Sequence, residues 1–481
     1  MGNNSRFFFV LLSVGAAIGL GNIFLYPYHS FKFTGLFFIP YLLALVFLCF
    51  PLLLLELSAG QYFAKNVIDL FASIRKWFST IGWLMVLNAF IVMSYYAVII
   101  AWHIIYIFVS FGLQWKNNPR NYFLGNVLQV SNGISGFTGF SLPVFIALIL
   151  AWLIIFFCII KGYESVRKSF LIILPAFTIL MIFFFFYSLS LENALAGVYN
   201  FLRPNFKSFL DINLWIAAFS SAIISLGLSF GVMQLFAAKS DKGFLFGNSV
   251  IVSVFSLVAS IAFGFVLFGI FGFLAAKTNV GLAGLVFPDS GSLFIVLPQA
   301  LPFFYKPALL SILFFIFLSL FFILGAVSLA YFTSHIIVHK FNAKRMHASI
   351  LVSGLGFLSG MIFIVKPGVY IMDIVSHFVY YNILLAVLLE SVAVGWFFDS
   401  EKISSFINQH SRVKFGAVWR FLIRFIVPLA LLLLIAVQLK SDLLVPYRSY
   451  PLWALLVFGA GTFAVPLVIA FMMPQKILDR R

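Results

Sequence analysis

Charge is scarce in these 481 residues: Asp, Glu, Lys and Arg make up 9% of the chain, where a soluble domain carries roughly a quarter. Long polar stretches are missing too, so no linker or separate soluble domain interrupts the apolar runs. Cysteine is limited to Cys49 and Cys158. Both fall inside apolar runs, away from any position for an external disulfide or a thiolate metal site, and read as core packing. His103, His335 and His377 are read as showing no ligand spacing such as H-x-x-x-H and no cluster of carboxylates, and no catalytic constellation accompanies them, so neither a metalloenzyme nor any other enzyme has support. Alternating segments of about 10 residues, the mark of a membrane β-barrel, are likewise missing.

Apolar residues take the place of all this. The chain is 63% hydrophobic and holds 65 phenylalanines. Runs of about 20 apolar residues, each long enough to cross about 30 Å of hydrocarbon as a helix, recur throughout. About twelve spans are expected, centred near residues 16, 48, 97, 150, 178, 225, 260, 322, 357, 385, 430 and 462. The division around 306–341 is the least defined. The fold class is an all-α polytopic membrane protein. The first span continues past "GLGN" without a small-residue cleavage site, and is expected to be retained rather than removed as a signal peptide.

The formal charge of +17 is spread over short loops. With both termini inside, roughly twenty basic residues fall on the inner side and about ten outside, and the reverse topology inverts the ratio. The excess orients the chain in a lipid bilayer; no basic domain exists to grip a nucleic acid.

Two spans carry their own breakers. Residues 16–28, "AAIGLGNIFLYPY", place two glycines, an asparagine and a proline inside the first. Residues 215–231, "WIAAFSSAIISLGLSFG", place small and hydroxyl residues inside the sixth. Unwound backbone at membrane depth is tolerated only where it faces protein or a water-filled cavity. Glycine-interrupted helices at matching places in two halves point to a transporter built on inverted repeats. Their half-helix ends would turn N–H groups toward an anion and carbonyls toward a cation.

The chain resembles the neurotransmitter:sodium symporter family, as a divergent prokaryotic-type member. Along with the two broken stretches, the resemblance rests on "IPYLLALVFLCFPLLLLELSAGQ", "SYYAVIIAW", "KGYESVRKSFLIILPAF", "SGSLFIVLPQAL" and "MDIVSHFV…LLESVAVGW", in the family's order from about residue 6 to 400. The last two spans match by hydropathy only. The resemblance implies a 5+5 inverted repeat with broken helices 1 and 6. Residues 1–190 would form the first repeat (helices 1–5) and 191–400 the second (helices 6–10), with 401–481 adding helices 11 and 12.

It also implies a central site for a small amino acid or derivative. The substrate carboxylate would meet the N–H groups of Leu20 and Gly21 and the hydroxyl of Tyr96. Carbonyls around Ala17, Ile224 and Ser225 would receive the amino group. Val92, Ile224, Phe230 and Leu329 would line an apolar pocket, with Gly227 adding room where serine is common. Gly19 stands where amine-selective members carry aspartate, which favours a substrate bringing its own carboxylate. The first sodium site would use Ala17, Asn22, Ser225 and Ser256, hard oxygen donors suited to an alkali cation. Chloride would use Tyr41, Ser225, Ser256 and Ser260. Glu56 and Glu390, carboxylates inside spans, are expected to brace neighbouring backbone rather than relay protons.

Several positions depart from the family. Leu25 replaces the arginine that would pair across the outer vestibule with Asp373, so the outer gate, Leu25 with Asp373, is expected to close by apolar contact. A second sodium site would take carbonyls of Gly15 and Ile18, but Leu324 and Gly325 stand where two hydroxyls belong, so that site is expected to be weak or lacking. The leading function is a secondary active transporter coupled to sodium by alternating access. A sodium-independent exchanger or facilitator of the same fold, and a non-transporting membrane sensor or scaffold, are the alternatives. The short second external loop, without a glycosylation sequon or cysteine pair, points to a prokaryotic inner membrane with both termini cytoplasmic.

Overall fold

The computed structural model describes residues 2–17, 19, 21–33, 35–285 and 292–477. Ten helices among them are long and apolar enough to cross a membrane. In chain order the bundle begins with α1 (Gly2–Ala16) and α2 (Tyr26–Lys32), the latter entered through a wide turn at Gly21–Leu25. These two lean 63° apart and together make an eleventh span. Then come α3 (Gly35–Phe63), α4 (Lys76–Val109), α5 (Leu142–Ile159) and α6 (Tyr163–Leu189). A short pair follows, α7 (Ile212–Ser225) and α8 (Val232–Ala238). The remaining spans are α9 (Leu245–Thr278), α10 (Pro307–Phe341), α11 (Arg345–Phe363), α12 (Gly368–Phe397), α13 (Gly416–Leu444, followed by a short turn at Tyr447–Ser449) and α14 (Leu452–Met473). All twelve apolar stretches expected from the sequence are helical, the sixth as the α7–α8 pair. The run at 306–341 is one uninterrupted helix.

Burial sorts these helices into centre and rim. In its most apolar stretch α4 is 83% buried and α10 78%, against 33% for α13 and 17% for α14. Apolar side chains all round a helix do not reveal which face is inside, because lipid accepts leucine as readily as the core does. Proline is absorbed locally. Widened turns at Leu45–Cys49 and Leu422–Ile426 come just before Pro51 and Pro428, where a proline strips the preceding turn of a hydrogen bond.

Candidate functional site between the broken helices

α1 stops at Ala16 and regular winding resumes only at Gly21; α7 stops at Ser225 and α8 starts at Val232. Between the latter, Gly227, Ser229 and Gly231 have φ of +59°, +64° and +73°. Glycine enters that left-handed region freely, and serine only when held. Ser229 is held: its N–H donates to Glu56 Oε1 at 2.6 Å.

The two breaks face each other at backbone distance. A Cβ on Gly19 would lie 2.9 Å from the Ile224 carbonyl oxygen, and one on Gly227 3.0 Å from that of Ala16. On Gly21 it would strike Ser225 N and Oγ at 2.5 Å. The glycines are required by this approach.

A cavity of about 760 Å³ opens beside the breaks. Gly19, Val92, Tyr96, Ile224, Gly227, Phe230 and Leu329 line its buried end. Tyr96 reaches it from the middle of α4, its hydroxyl 3.9 Å from the Gly19 Cβ position. Ala17, Gly21 and Ser225 lie buried and off the cavity lining. Leu20 and Ile18, expected at the substrate and second sodium sites, lie outside the described residues.

Behind the break a polar knot ties α9 to both broken helices. Asn22 Oδ1 accepts from Gly19 N–H at 2.9 Å. Its Nδ2 donates to the Ser256 carbonyl and hydroxyl, each at 3.0 Å, and to Ser260 Oγ at 2.8 Å. Ser256 Oγ donates to the Ser225 carbonyl at 3.0 Å. The orientation of the asparagine amide follows from these partners. Tyr41 points its hydroxyl toward Ser225 and Ser260 but closes a hydrogen bond to neither, and the Ser221 hydroxyl is likewise buried without a partner. Buried hydroxyls seldom stay unpaired, and the Tyr41 hydroxyl beside Ser225 and Ser260 is a donor that fits a small anion.

The place opposite Gly15 is different in kind. Its Cβ position meets Phe170 at 2.5 Å and the Leu324 side chain at 3.4 Å. Three hydroxyls of α10 turn back on their own helix: Ser319 to Ile316, Ser328 to Leu324 and Thr333 to Leu329. The three atoms nearest that position are all carbon.

Glu56 and Glu390 are both buried and keep one carboxylate oxygen without a hydrogen-bond partner. Glu56 braces the α7–α8 break as above. Glu390 departs from the expectation of a backbone partner: its Oε1 accepts from Gln234 Nε2 at 2.7 Å, which reaches the same segment through a side chain.

Toward the exposed end, the cavity is lined by Leu25, Lys32, Arg120, Asp373, His377, Tyr447, Arg448 and Tyr450. With leucine at position 25, Asp373 is expected to be hydrated or paired with a basic residue, and here that residue is Arg448. Arg448 Nη1 approaches its Oδ2 at 3.4 Å, and the hydroxyls of Tyr447 and Tyr450 donate to Oδ1 and Oδ2 at 3.1 and 2.9 Å. The arginine sits in a stretch where the family resemblance was only hydropathic, which is why its role went unread. The run "SDLLVPYRSY" at 441–450, polar and aromatic between two apolar spans, was the available signal. His335 and His339 also stand one turn apart on α10, ring centres 4.2 Å apart. That spacing escaped the reading of the sequence, but no third ligand joins them among the described residues. At the opposite end of the bundle, Arg6 donates to Asn248 at 3.1 Å and covers the Phe244 ring at 4.1 Å.

Two unwound helices meeting beside a central cavity, inside a bundle of membrane-length helices, define a secondary transporter. Comparison with known proteins gives the particular family. The model of the sodium:neurotransmitter symporter family matches residues 2–121 and 114–479, and the chain belongs to that family. It is 31% identical over 480 residues to an uncharacterized sodium-dependent transporter of Methanocaldococcus jannaschii, covering 98% of this chain and 97% of the relative. It is 26% identical to a sodium- and chloride-dependent taurine transporter of Bos taurus, over 98% of this chain and 84% of that one. A sodium- and chloride-dependent GABA transporter of Drosophila melanogaster is 27% identical over 83% of this chain, which spans 47% of the relative. The protein is therefore an integral membrane transporter and not an enzyme.

Proposed function

We propose that the protein is a sodium-coupled symporter of a small amino acid or close derivative, working by alternating access around the cavity between the two breaks. The observation that carries this reading is the convergence of Gly19, the Ile224 carbonyl and Tyr96 on one buried cavity. Backbone N–H groups and a phenol suit a carboxylate, and carbonyls suit an ammonium. The relatives named for GABA and taurine handle small molecules bearing both an acid and an amine, in keeping with that pairing. Val92, Ile224, Phe230 and Leu329 favour an apolar or short side chain.

Sodium, as co-transported ion, would be held by the Ala17 carbonyl, Asn22, Ser225 and Ser256, where hydroxyl, amide and carbonyl oxygens are already gathered. Chloride would take Tyr41 and Ser260, with Ser225 and Ser256 beside them. The division into two repeats and two added helices, the cytoplasmic termini and a prokaryotic inner membrane complete the proposal, supported by the paired breaks and the charge asymmetry. A second reading, exchange or facilitation without sodium, is favoured by the apolar place opposite Gly15.

Tracer uptake into proteoliposomes, with amino acids supplied under an inward sodium gradient and under none, tests the proposal. Accumulation that follows the gradient supports symport. Exchange that ignores sodium supports the second reading, and a protein that binds but never moves substrate overturns both.

A further inference from the structure

The cavity is continuous from buried Tyr96 and Gly19 to a rim that includes exposed Lys32, Arg120 and Arg448. Four consecutive residues cross that rim, Tyr447 to Tyr450, in the connection between α13 and α14. Three of them hold one carboxylate: both phenols and the guanidinium converge on Asp373.

A second anchor lies one turn further along α12. The His377 ring stacks on Tyr447 with centres 3.8 Å apart and planes 15° from parallel. His377 Nε2 and the Tyr381 hydroxyl both bond Asp442 Oδ2 at 2.6 Å, at the end of α13. Asp373, His377 and Tyr381 recur every four residues, so α12 turns one face to this segment.

The segment is bent tightly. Arg448 and Ser449 have φ of +47° and +56°, consecutive non-glycine residues in the left-handed region. Such backbone persists where surrounding bonds hold it. The helices that carry it are among the less buried of the bundle, at 33% and 17%, so it can shift without unpacking the core. The ion pair itself is partly solvated, with the Arg448 and Asp373 side chains 38% and 17% exposed. A pair of that kind is weak alone and opens readily.

We propose that residues 447–450 form a strap across the mouth of the cavity, latched on Asp373, whose release widens the path by which solute reaches Tyr96. The cation of this latch comes from the α13–α14 connection, outside the broken helices, so α13 and α14 take part in gating. The inference rests on the transport reading only for what passes the strap; the latch itself is a matter of access.

The test measures access without transport. Ser220, which lines the cavity, is changed as Ser220→Cys in the full chain in proteoliposomes. The rate of labelling by a membrane-impermeant maleimide is then followed, with the contribution of Cys49 and Cys158 measured in the chain lacking the added thiol. Asp373→Asn and Arg448→Gln should each speed labelling by about five- to tenfold, the population shift expected when a closed state loses a charged hydrogen bond. Tyr450→Phe should speed it less. The double exchange Asp373→Arg with Arg448→Asp should return to within about twofold of the parent, since a restored pair restores the closed population.

Unchanged rates in the single variants, or a double exchange no slower than either, would overturn the strap. Should Asp373→Asn fail to fold, Tyr450→Phe keeps the ring and its packing and decides alone. Labelling that responds as expected beside absent uptake would sink the transport reading and leave the strap standing. Unresponsive labelling beside sodium-driven uptake would sink the strap alone.

Discussion

Asn22 and Gly15 lie on either side of the same break in the first span, yet their surroundings have little in common. Asn22 is enclosed by the hydroxyls of Ser256 and Ser260 and the carbonyl of Ser256, with the Ser225 carbonyl one bond further on. Gly15 faces the Phe170 ring and the Leu324 isobutyl group. A hard cation gives up its water only for a comparable number of oxygens, roughly six. One side of the break supplies much of such a shell, and the other supplies carbon. We propose from this difference that sodium coupling runs through a single ion at Asn22.

The sharpest way to break this comparison is to fill the two glycines. Gly21→Ala places its methyl against backbone N and Oγ of Ser225, which cannot move without shifting α7. A cost of about 3 kcal/mol is expected, at the upper end for overpacking, with loss of substrate-induced thermal stabilisation. Gly15→Ala meets side chains, the edge of the Phe170 ring and the Leu324 isobutyl group, rather than backbone, and should lose less. Equal damage from both, read as Tm and ligand-induced shift, would erase the distinction.

Asn22→Ala comes next. It strands the Gly19 N–H, at about 1–3 kcal/mol for a buried group left without a partner, while the Ser256 and Ser260 hydroxyls keep their carbonyl acceptors. Substrate affinity and its dependence on sodium should fall together, because linked ligands share one coupling free energy. Weaker binding with the same sodium dependence would make Asn22 a packing residue.

Tyr96→Phe tests the cavity side of the break. Removing one hydrogen bond to a carboxylate should weaken binding by about 1–3 kcal/mol, or roughly five- to 150-fold in Kd. Equal affinity of both proteins for every amino acid tested would remove Tyr96 from the site. The finest measurement counts ions. Radiolabelled sodium bound at saturating substrate should reach one per protein, and two would show that oxygens complete a site opposite Gly15 after all.

Much of this molecule could be read from its chain alone. Span number and the two glycine-marked breaks are local properties, expressed within one helix or one loop. Hydropathy and backbone freedom act there without knowledge of neighbours. The motif order up to about residue 400 was enough to place Asn22, Tyr96, Ile224 and Ser256 in one family pattern.

Other features depended on how the helices pack. That Leu324 turns toward Gly15, that Ser328 spends its hydroxyl on its own helix, and that Tyr41 and Ser221 are left unpaired follow from helix rotation. Hydropathy scarcely constrains rotation when lipid and core are equally apolar. The partner of Asp373 was the least legible of all. Leu25 announced that one arginine was missing, but only the folded bundle brings Arg448 from just past the end of α13 to meet it. A charge pair distant in sequence is created by tertiary contact, and no local pattern encodes it.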